Sequence, residues 1–276
     1  MDIRFASSPK EVKGMNTEEL RANFLVPDMM IDDAVTLTYS HYDRVIIGSA
    51  KPVTKKLELL NEEELKSDYF LQRRELGIIN VGGGGIVTAD GVTYEVNKLD
   101  ALYLGKGTQS VFFESKSKDA PALFFLMSTT AHHTYPAAKL SKEQATPVKL
   151  GSVATANQRT IYKYIHADGI PSCQLVMGLT LFEEGSIWNS VPPHTHTRRT
   201  EVYFYFDLPA EHRAFHFMGE PTETRHLLLS NNQAVISPPW SVHFGAGTAK
   251  YGFIWAMAGE NQAFTDMDVL QLSELK

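Results

Sequence analysis

His194-Thr195-His196, followed through Thr197-Arg198-Arg199-Thr200 by Glu201-Val202-Tyr203-Phe204-Tyr205-Phe206, is the stretch on which the reading of this chain turns. The run after Glu201 is aromatic and apolar throughout, the composition of a strand covered on both faces. Side chains two apart share one face of a strand, so His194 and His196 point the same way, and the turn that follows brings Glu201 back toward them. Two imidazoles and a carboxylate then converge. A fourth donor, His243, lies on a distant strand entered through the rigid turn Pro238-Pro239-Trp240. Neutral imidazoles with one carboxylate suit a single transition-type ion (Zn2+, or Fe2+, Ni2+ or Mn2+) and disfavour calcium and magnesium, which prefer oxygen alone.

Outward from this stretch the texture repeats. Ile86-Val87-Thr88, Val92 to Val96, Ala101 to Leu104 and Val111 to Phe113 come before it; Thr160 to Ile165 and Gln174 to Phe182 flank it; Ala234 to Ile236 and Tyr251 to Ala256 follow. Short β-branched and aromatic runs punctuated by Gly, Asp-Gly and Asn predict an all-β sandwich or barrel. Pro136 to Val148, containing Pro and Lys, separates two such regions and predicts domains over 1–148 and 149–276. Asp100 to Ser110 parallels Gln233 to His243, setting Ser110 against His243. No His-x-His precedes Ser110, so the metal is expected in the second domain alone. Two helical starts, at Asn16 and Asn61, each carry Glu three positions on. Gly82-Gly83-Gly84-Gly85 lacks the Gly-Lys-Ser/Thr of a phosphate loop and leads into β-rich sequence, so a tight turn or bulge is expected.

Composition narrows the function. With 43 % hydrophobic and 21 % charged residues the chain reads as a soluble globular protein. Lys and Arg number 26 against 32 Asp and Glu, a net charge of −6, which argues against nucleic acid as a partner. No apolar run is long enough to cross a bilayer, and the first residues do not form a signal segment, so no membrane partner and a cytoplasmic location are expected. Cys173 is the only cysteine and no intrachain disulfide is possible, which fits a reducing compartment. Its apolar neighbours predict a buried, inert thiol.

The pattern His-x-His-x(4)-Glu with a later Pro-x(4)-His resembles the two metal motifs of the cupin superfamily. The longer strings Ile187 to Phe206, Glu223 to His226, Gln233 to Pro238, Phe253 to Gln262, Arg159 to His166 and Cys173 to Thr180 are similar to the 5-keto-4-deoxyuronate isomerase family. The resemblance implies a double-stranded β-helix (jelly-roll) bicupin with a few short helices. It also implies one zinc ion per subunit and a homo-oligomer, commonly a hexamer. The implied function is metal-dependent aldose–ketose isomerisation of 5-dehydro-4-deoxy-D-glucuronate to 3-deoxy-D-glycero-2,5-hexodiulosonate, in pectin and uronate breakdown. A 5-deoxy-glucuronate isomerase, an iron-dependent cupin dioxygenase and a non-enzymatic sugar-binding cupin are the alternatives.

Such an isomerisation moves one proton between neighbouring carbons and another between their oxygens, with an ion polarising the carbonyl. The proton carrier is open in the sequence: Glu183 or its neighbour Glu184, a water held by the ion, or none if a hydride shifts directly. Arg159 and Lys163, four apart on one strand face, are the candidates for binding a substrate carboxylate. Arg198 and Arg199, in the turn between His196 and Glu201, either gate the pocket or face solvent. Tyr162, Tyr164, Tyr203 and Tyr205 read as core or interface aromatics; His212, His216 and His226 as structural; and His132-His133 as pointing to opposite faces.

Overall fold

In a computed structural model that describes residues 1–276, the chain forms two pairs of β-sheets, each a seven-stranded sheet facing a four-stranded one. The first large sheet runs Asp2–Arg4, Val35–Ser40, Ile46–Ala50, Phe124–Thr130, Arg74–Asn80, Ala101–Leu104, Ala138–Leu140. The second runs Pro147–Leu150, Arg159–Ile165, Val176–Phe182, Gly252–Gly259, Arg199–Phe206, Gln233–Ser237, Leu25–Val26. Each closes over its own small sheet as a jelly-roll barrel, the all-β bicupin arrangement expected from the sequence.

Strand alternation explains why the sequence shows so little polarity here. Along Arg199–Phe206, Tyr203 and Tyr205 enter the interior of the second barrel, whereas Val202, Phe204 and Phe206 enter a core shared by the two large sheets. Both faces are covered, so both sets of side chains are large and apolar. Phe204 stacks on Phe125 of the first barrel with ring centroids 4.9 Å apart. Burying such a ring is worth about 1.5–3 kcal/mol, and the joint core contains many of them.

The barrels share strand register. Leu76 pairs with Leu104 and Ser128 in the first, as Glu201 pairs with Ser237 and Met257 in the second. By this register Leu76 corresponds to Glu201 and Arg74 to Arg199. Ser110 directly precedes the strand Val111–Ser115, as His243 precedes Phe244–Gly247. The first barrel therefore has an alkyl group and a hydroxyl where the second has a carboxylate and an imidazole.

Three expectations need adjustment. Residues 9–26 were grouped with the first barrel, but the helices Pro9–Val12 and Thr17–Phe24 pack on the second, where Val12, Leu20, Phe24 and Leu25 join its core and Leu25–Val26 its sheet. The stretch 136–148 does join the two regions, but both its ends are strand: Ala138–Leu140 edges the first large sheet and Pro147–Leu150 starts an edge of the second. Asn16 caps its helix through Glu19 N, but Asn61 bonds Ser67 instead, leaving only the short 3-10 turn Glu63–Leu65. The glycine run makes the close turn expected: a Cβ on Gly83 would lie 1.9 Å from Ala120 O.

A buried carboxylate joins the barrels. Glu75, wholly buried, accepts hydrogen bonds from the backbone N–H groups of Cys173 (2.7 Å), Gln174 (2.8 Å) and Leu175 (2.9 Å), and from the Tyr103 hydroxyl (2.7 Å). It fixes the loop that enters Val176–Phe182. Replacing Glu75 by Leu strands these donors, each at about 1–3 kcal/mol, so a stability loss of at least about 3 kcal/mol is expected. Thermal melting checks it: the Leu variant should melt well below wild type and Glu75→Gln between them, and an unchanged midpoint for Leu would refute the assignment.

Candidate metal centre

At one end of the second barrel, the same alternation that sends Tyr203 and Tyr205 inward also sends Glu201. His194, on the two-residue strand His194–Thr195, and His196 just beyond it arrive from the loop before; His243 arrives from the turn before Phe244–Gly247. That turn is closed by Ser241 N donating to Pro238 O (3.0 Å), and Trp240 packs its ring against the barrel core.

The four donor atoms lie within 4.8 Å of one another. His196 Nε2 and His243 Nε2 each approach Glu201 Oε2 to 2.9 Å, and His243 Nε2 lies 3.0 Å from His194 Nε2. Two of the imidazoles are oriented from behind. His196 Nδ1 sits 3.0 Å from Arg199 O, and His243 Nδ1 3.2 Å from Ser241 O. A carbonyl only accepts, so Nδ1 carries the hydrogen in both rings and the neutral tautomer directs an Nε2 lone pair inward. Lone pairs then face a carboxylate and one another at 2.9–3.0 Å, an arrangement that needs a positive charge among them. The donor set fits a single divalent ion, with Arg199 O and Ser241 O orienting its ligands.

The electrostatics agree. Burial drives the His194 imidazole down to about 3, with His243 adding to the effect. Burial also raises the Glu201 carboxyl, but His243 and His196 overcome it and hold the group well below the usual carboxylate range. Burial lowers His196, yet its bond and charge interaction with Glu201 raise it overall. The cluster stabilises charge of either origin, proton or metal.

A cavity of about 200 Å³ opens beside the cluster. His194, His196 and Glu201 form its polar floor with Tyr203 and Ser190, and Ile161, Phe253, Trp255, Met257 and Phe264 its apolar wall. Arg159 reaches in from Arg159–Ile165, donates Nη1 to Asn157 O (2.9 Å) and has no acidic partner. The Tyr203 hydroxyl is 2.7 Å from Ser190 Oγ, and burial raises its pKa far above the ordinary phenol value, so it stays protonated.

A family model described as the KduI/IolB family matches residues 24–272. The chain belongs to the KduI/IolB family. It is 54 % identical over 276 residues to the 4-deoxy-L-threo-5-hexosulose-uronate ketol-isomerase of Shouchella clausii (strain KSM-K16), covering 100 % of both chains. It is 52 % identical, again over 100 % of both, to the protein of the same name from Halalkalibacterium halodurans. Among solved structures, an IolB-like protein of Salmonella typhimurium LT2 superposes with TM-score 0.69 at 14 % identity, covering 90 % of this chain and 97 % of that one. An oxalate decarboxylase of Lactobacillus farciminis gives 0.60 at 8 %, covering 91 % and 89 %. These last two likenesses are of fold.

In this KduI/IolB family member the other sequence candidates fall in different places. Arg159 lines the cavity. Lys163 shares its strand face but stands beyond Phe264, its Nζ 5.2 Å from that ring and its stem on a separate groove, so it does not reach the floor. Glu183 is exposed in the turn before Gly185, pointing to water as an unpaired carboxylate does, and Glu184 pairs with Lys250. Cys173 is half-buried, its Sγ donating to His133 O (3.2 Å).

Two side chains were undervalued. Tyr203, which the sequence places among core aromatics, is also cavity wall; a tyrosine two residues after Glu201 shares its strand face, and that spacing is the signal the sequence carries. Arg199 neither gates nor faces solvent. It is fully buried and donates to Ala263 O and Asp266 O, both at 2.9 Å, while Arg198 pairs with Asp266 and Asp268. The two arginines hold the segment that supplies Phe264, Met267 and Val269 to the cavity. His243→Ala removes an inward ligand without touching the joint core. Metal analysis of the purified variant should fall from about one ion per chain to a small fraction of that, with the far-ultraviolet circular dichroism unchanged; full metal retention would remove His243 from the ligand set.

Proposed function

We propose that this chain is a metal-dependent aldose–ketose isomerase, an intramolecular oxidoreductase acting on 4-deoxy-L-threo-5-hexosulose-uronate, the substrate named for its relatives. The observation that carries the reading is the pairing, in one small cavity, of a four-donor cluster with an arginine that has no counter-ion. An aldehyde with an adjacent hydroxyl suits the first, and a carboxylate at the other end of the same molecule suits the second.

His194, His196, Glu201 and His243 hold the ion, taken as Zn2+, though the donors also fit Fe2+, Ni2+ or Mn2+. When bound, it would polarise the substrate carbonyl and offset negative charge developing on the substrate oxygens, a contribution of several kcal/mol. Arg159 accepts the carboxylate in a bidentate pair and sets the register of the sugar chain. The apolar wall excludes water, which strengthens both interactions. Glu201 is the only carboxylate lining the cavity, and it is committed to the ion. The Tyr203 and Ser190 hydroxyls are then the chain's own carriers for the proton that passes between the two substrate oxygens, and with no free carboxylate in the cavity the hydrogen on the hydroxyl-bearing carbon passes directly to the carbonyl carbon as a hydride.

In this reading chemistry belongs to residues 149–276, and the half covering 1–148, with Leu76 and Ser110 at the corresponding positions, works without metal. A cytoplasmic homo-oligomer, a hexamer by resemblance, serving pectin and uronate breakdown completes the proposal. No helix is long and apolar enough to cross a membrane.

Ketose formation from the 4-deoxy-5-keto uronate made by pectin lyases, followed by NMR before and after chelation, tests the reading. Conversion should stop on chelation and return with added zinc; absent or chelator-indifferent conversion would sink it. Two variants test the residue roles. Arg159→Ala should raise KM by at least about tenfold with a smaller change in kcat, since a lost uniform contact appears in KM. Tyr203→Phe should lower kcat by about 10²-fold, the lower range for general acid–base catalysis, with metal content retained.

A further inference from the structure

The first barrel has its own opening at the end corresponding to the metal centre, and its chemistry is different. Arg74, the register counterpart of Arg199, is 5 % exposed. Its Nε donates to Ser128 Oγ (3.1 Å), and its Nη2 to Arg44 O (2.6 Å) and Ser128 O (3.0 Å). No carboxylate pairs with it, and Nη1 makes no hydrogen bond within the protein. Arg199, by contrast, has both terminal nitrogens satisfied by carbonyls of the segment that covers it. No segment covers Arg74, and a cavity of about 330 Å³ lies there instead.

The walls of that cavity suit a particular kind of molecule. Tyr39 presents an aromatic face, with the Arg74 guanidinium 6.0 Å from its ring centroid, and its hydroxyl is bonded to no protein group. His41 stands edge-on to Tyr39 at 5.3 Å and is stacked at 4.7 Å on Phe5, an aromatic 72 % exposed to solvent. Thr130 and Ser67 add hydroxyls. Glu64, the one carboxylate on the wall, is exposed and makes no ion pair with Arg74. A buried guanidinium without an anion is costly, and burial lowers its pKa to about 10 although Tyr39 acts the other way. A ligand carrying an anion removes that cost.

We propose that the mouth of the first barrel is a binding site for a small sugar acid, whose carboxylate pairs with Arg74 Nη1 and whose ring packs against Tyr39 and His41. The site is independent of the metal centre and stands whether or not the isomerase reading holds. Three of the five guanidinium N–H groups are held by Ser128 and Arg44, which leaves the two on Nη1 to donate to an incoming carboxylate. A sugar ring matches an aromatic wall flanked by hydroxyls.

Isothermal titration of D-galacturonate into the intact protein and into Arg159→Ala, which weakens the metal cavity, tests the site. One binding event per chain should persist in Arg159→Ala, weaken at least tenfold in Arg74→Gln, and weaken several-fold in His41→Ala. His41 is on the surface, so its variant reports even if Arg74→Gln fails to fold. Methyl galactoside, which lacks the carboxylate, should bind at least tenfold more weakly. No event in Arg159→Ala, an event indifferent to His41→Ala, or equal binding of the neutral sugar would each overturn the proposal, as would inorganic phosphate binding as tightly as the uronate.

Discussion

Three imidazoles and a carboxylate crowd their electron pairs together, and the second barrel holds the four donor atoms within 4.8 Å at the floor of a cavity. Every part of the surrounding architecture bears on that constraint. Arg199 O and Ser241 O fix the tautomers of two rings, so the lone pairs cannot turn away. Glu201 is locked by strand pairing on both sides, to Ser237 and to Met257. A preorganised concentration of electron pairs favours positive charge among them, proton or metal, and the low dielectric of the apolar wall strengthens that preference.

The first barrel shows what the fold does when the constraint is absent. Its strands keep the register, but Leu76 stands for Glu201, and the interior beneath is apolar, with Ile78, Leu102, Leu104 and Phe113 filling the space. The arginine two residues before is kept, and its role diverges with its cover. In the second barrel it fastens the chain segment that walls the cavity beside the four-donor cluster; in the first it is left facing a cavity of its own. The barrel supplies positions at its mouth, and the residues there decide the chemistry.

The metal cluster was legible in the sequence because its geometry is local: His-x-His uses the two-residue repeat of a strand, and Glu201 follows one turn later. His243 was legible through the Pro-Pro turn before it. Glu75 was not, because its partners are the backbone N–H groups of residues 98 to 100 positions away, and a backbone donor leaves no mark on sequence. The docking of residues 9–26 on the second barrel was hidden for a related reason: an amphipathic helix records that it has an apolar face, not which sheet covers it. Glu183 and Lys163 had the right charge and plausible spacing, but reach is set by loop exposure in one case and by the ring of Phe264 in the other. Tyr203 was read by its neighbours, all core aromatics, and the face it shares with Glu201 was the better guide.

The ligands and the cavity wall are also mechanically joined. Arg199 contributes its backbone carbonyl to His196 and its side chain to the carbonyls of Ala263 and Asp266, so one residue sets both a ligand's orientation and the position of the segment carrying Phe264 and Met267. Next to it, Arg198 pairs with Asp266 and Asp268, and His194–Thr195 pairs as a short strand with Asp268–Val269. Displacing the C-terminal segment therefore strains the His194 loop and the start of the Glu201 strand together. The apolar wall and the four-donor cluster are thus held through the same two arginines and the same short strand pair. The shared anchor, Arg199, is buried, with both terminal guanidinium nitrogens bonded to the segment it holds.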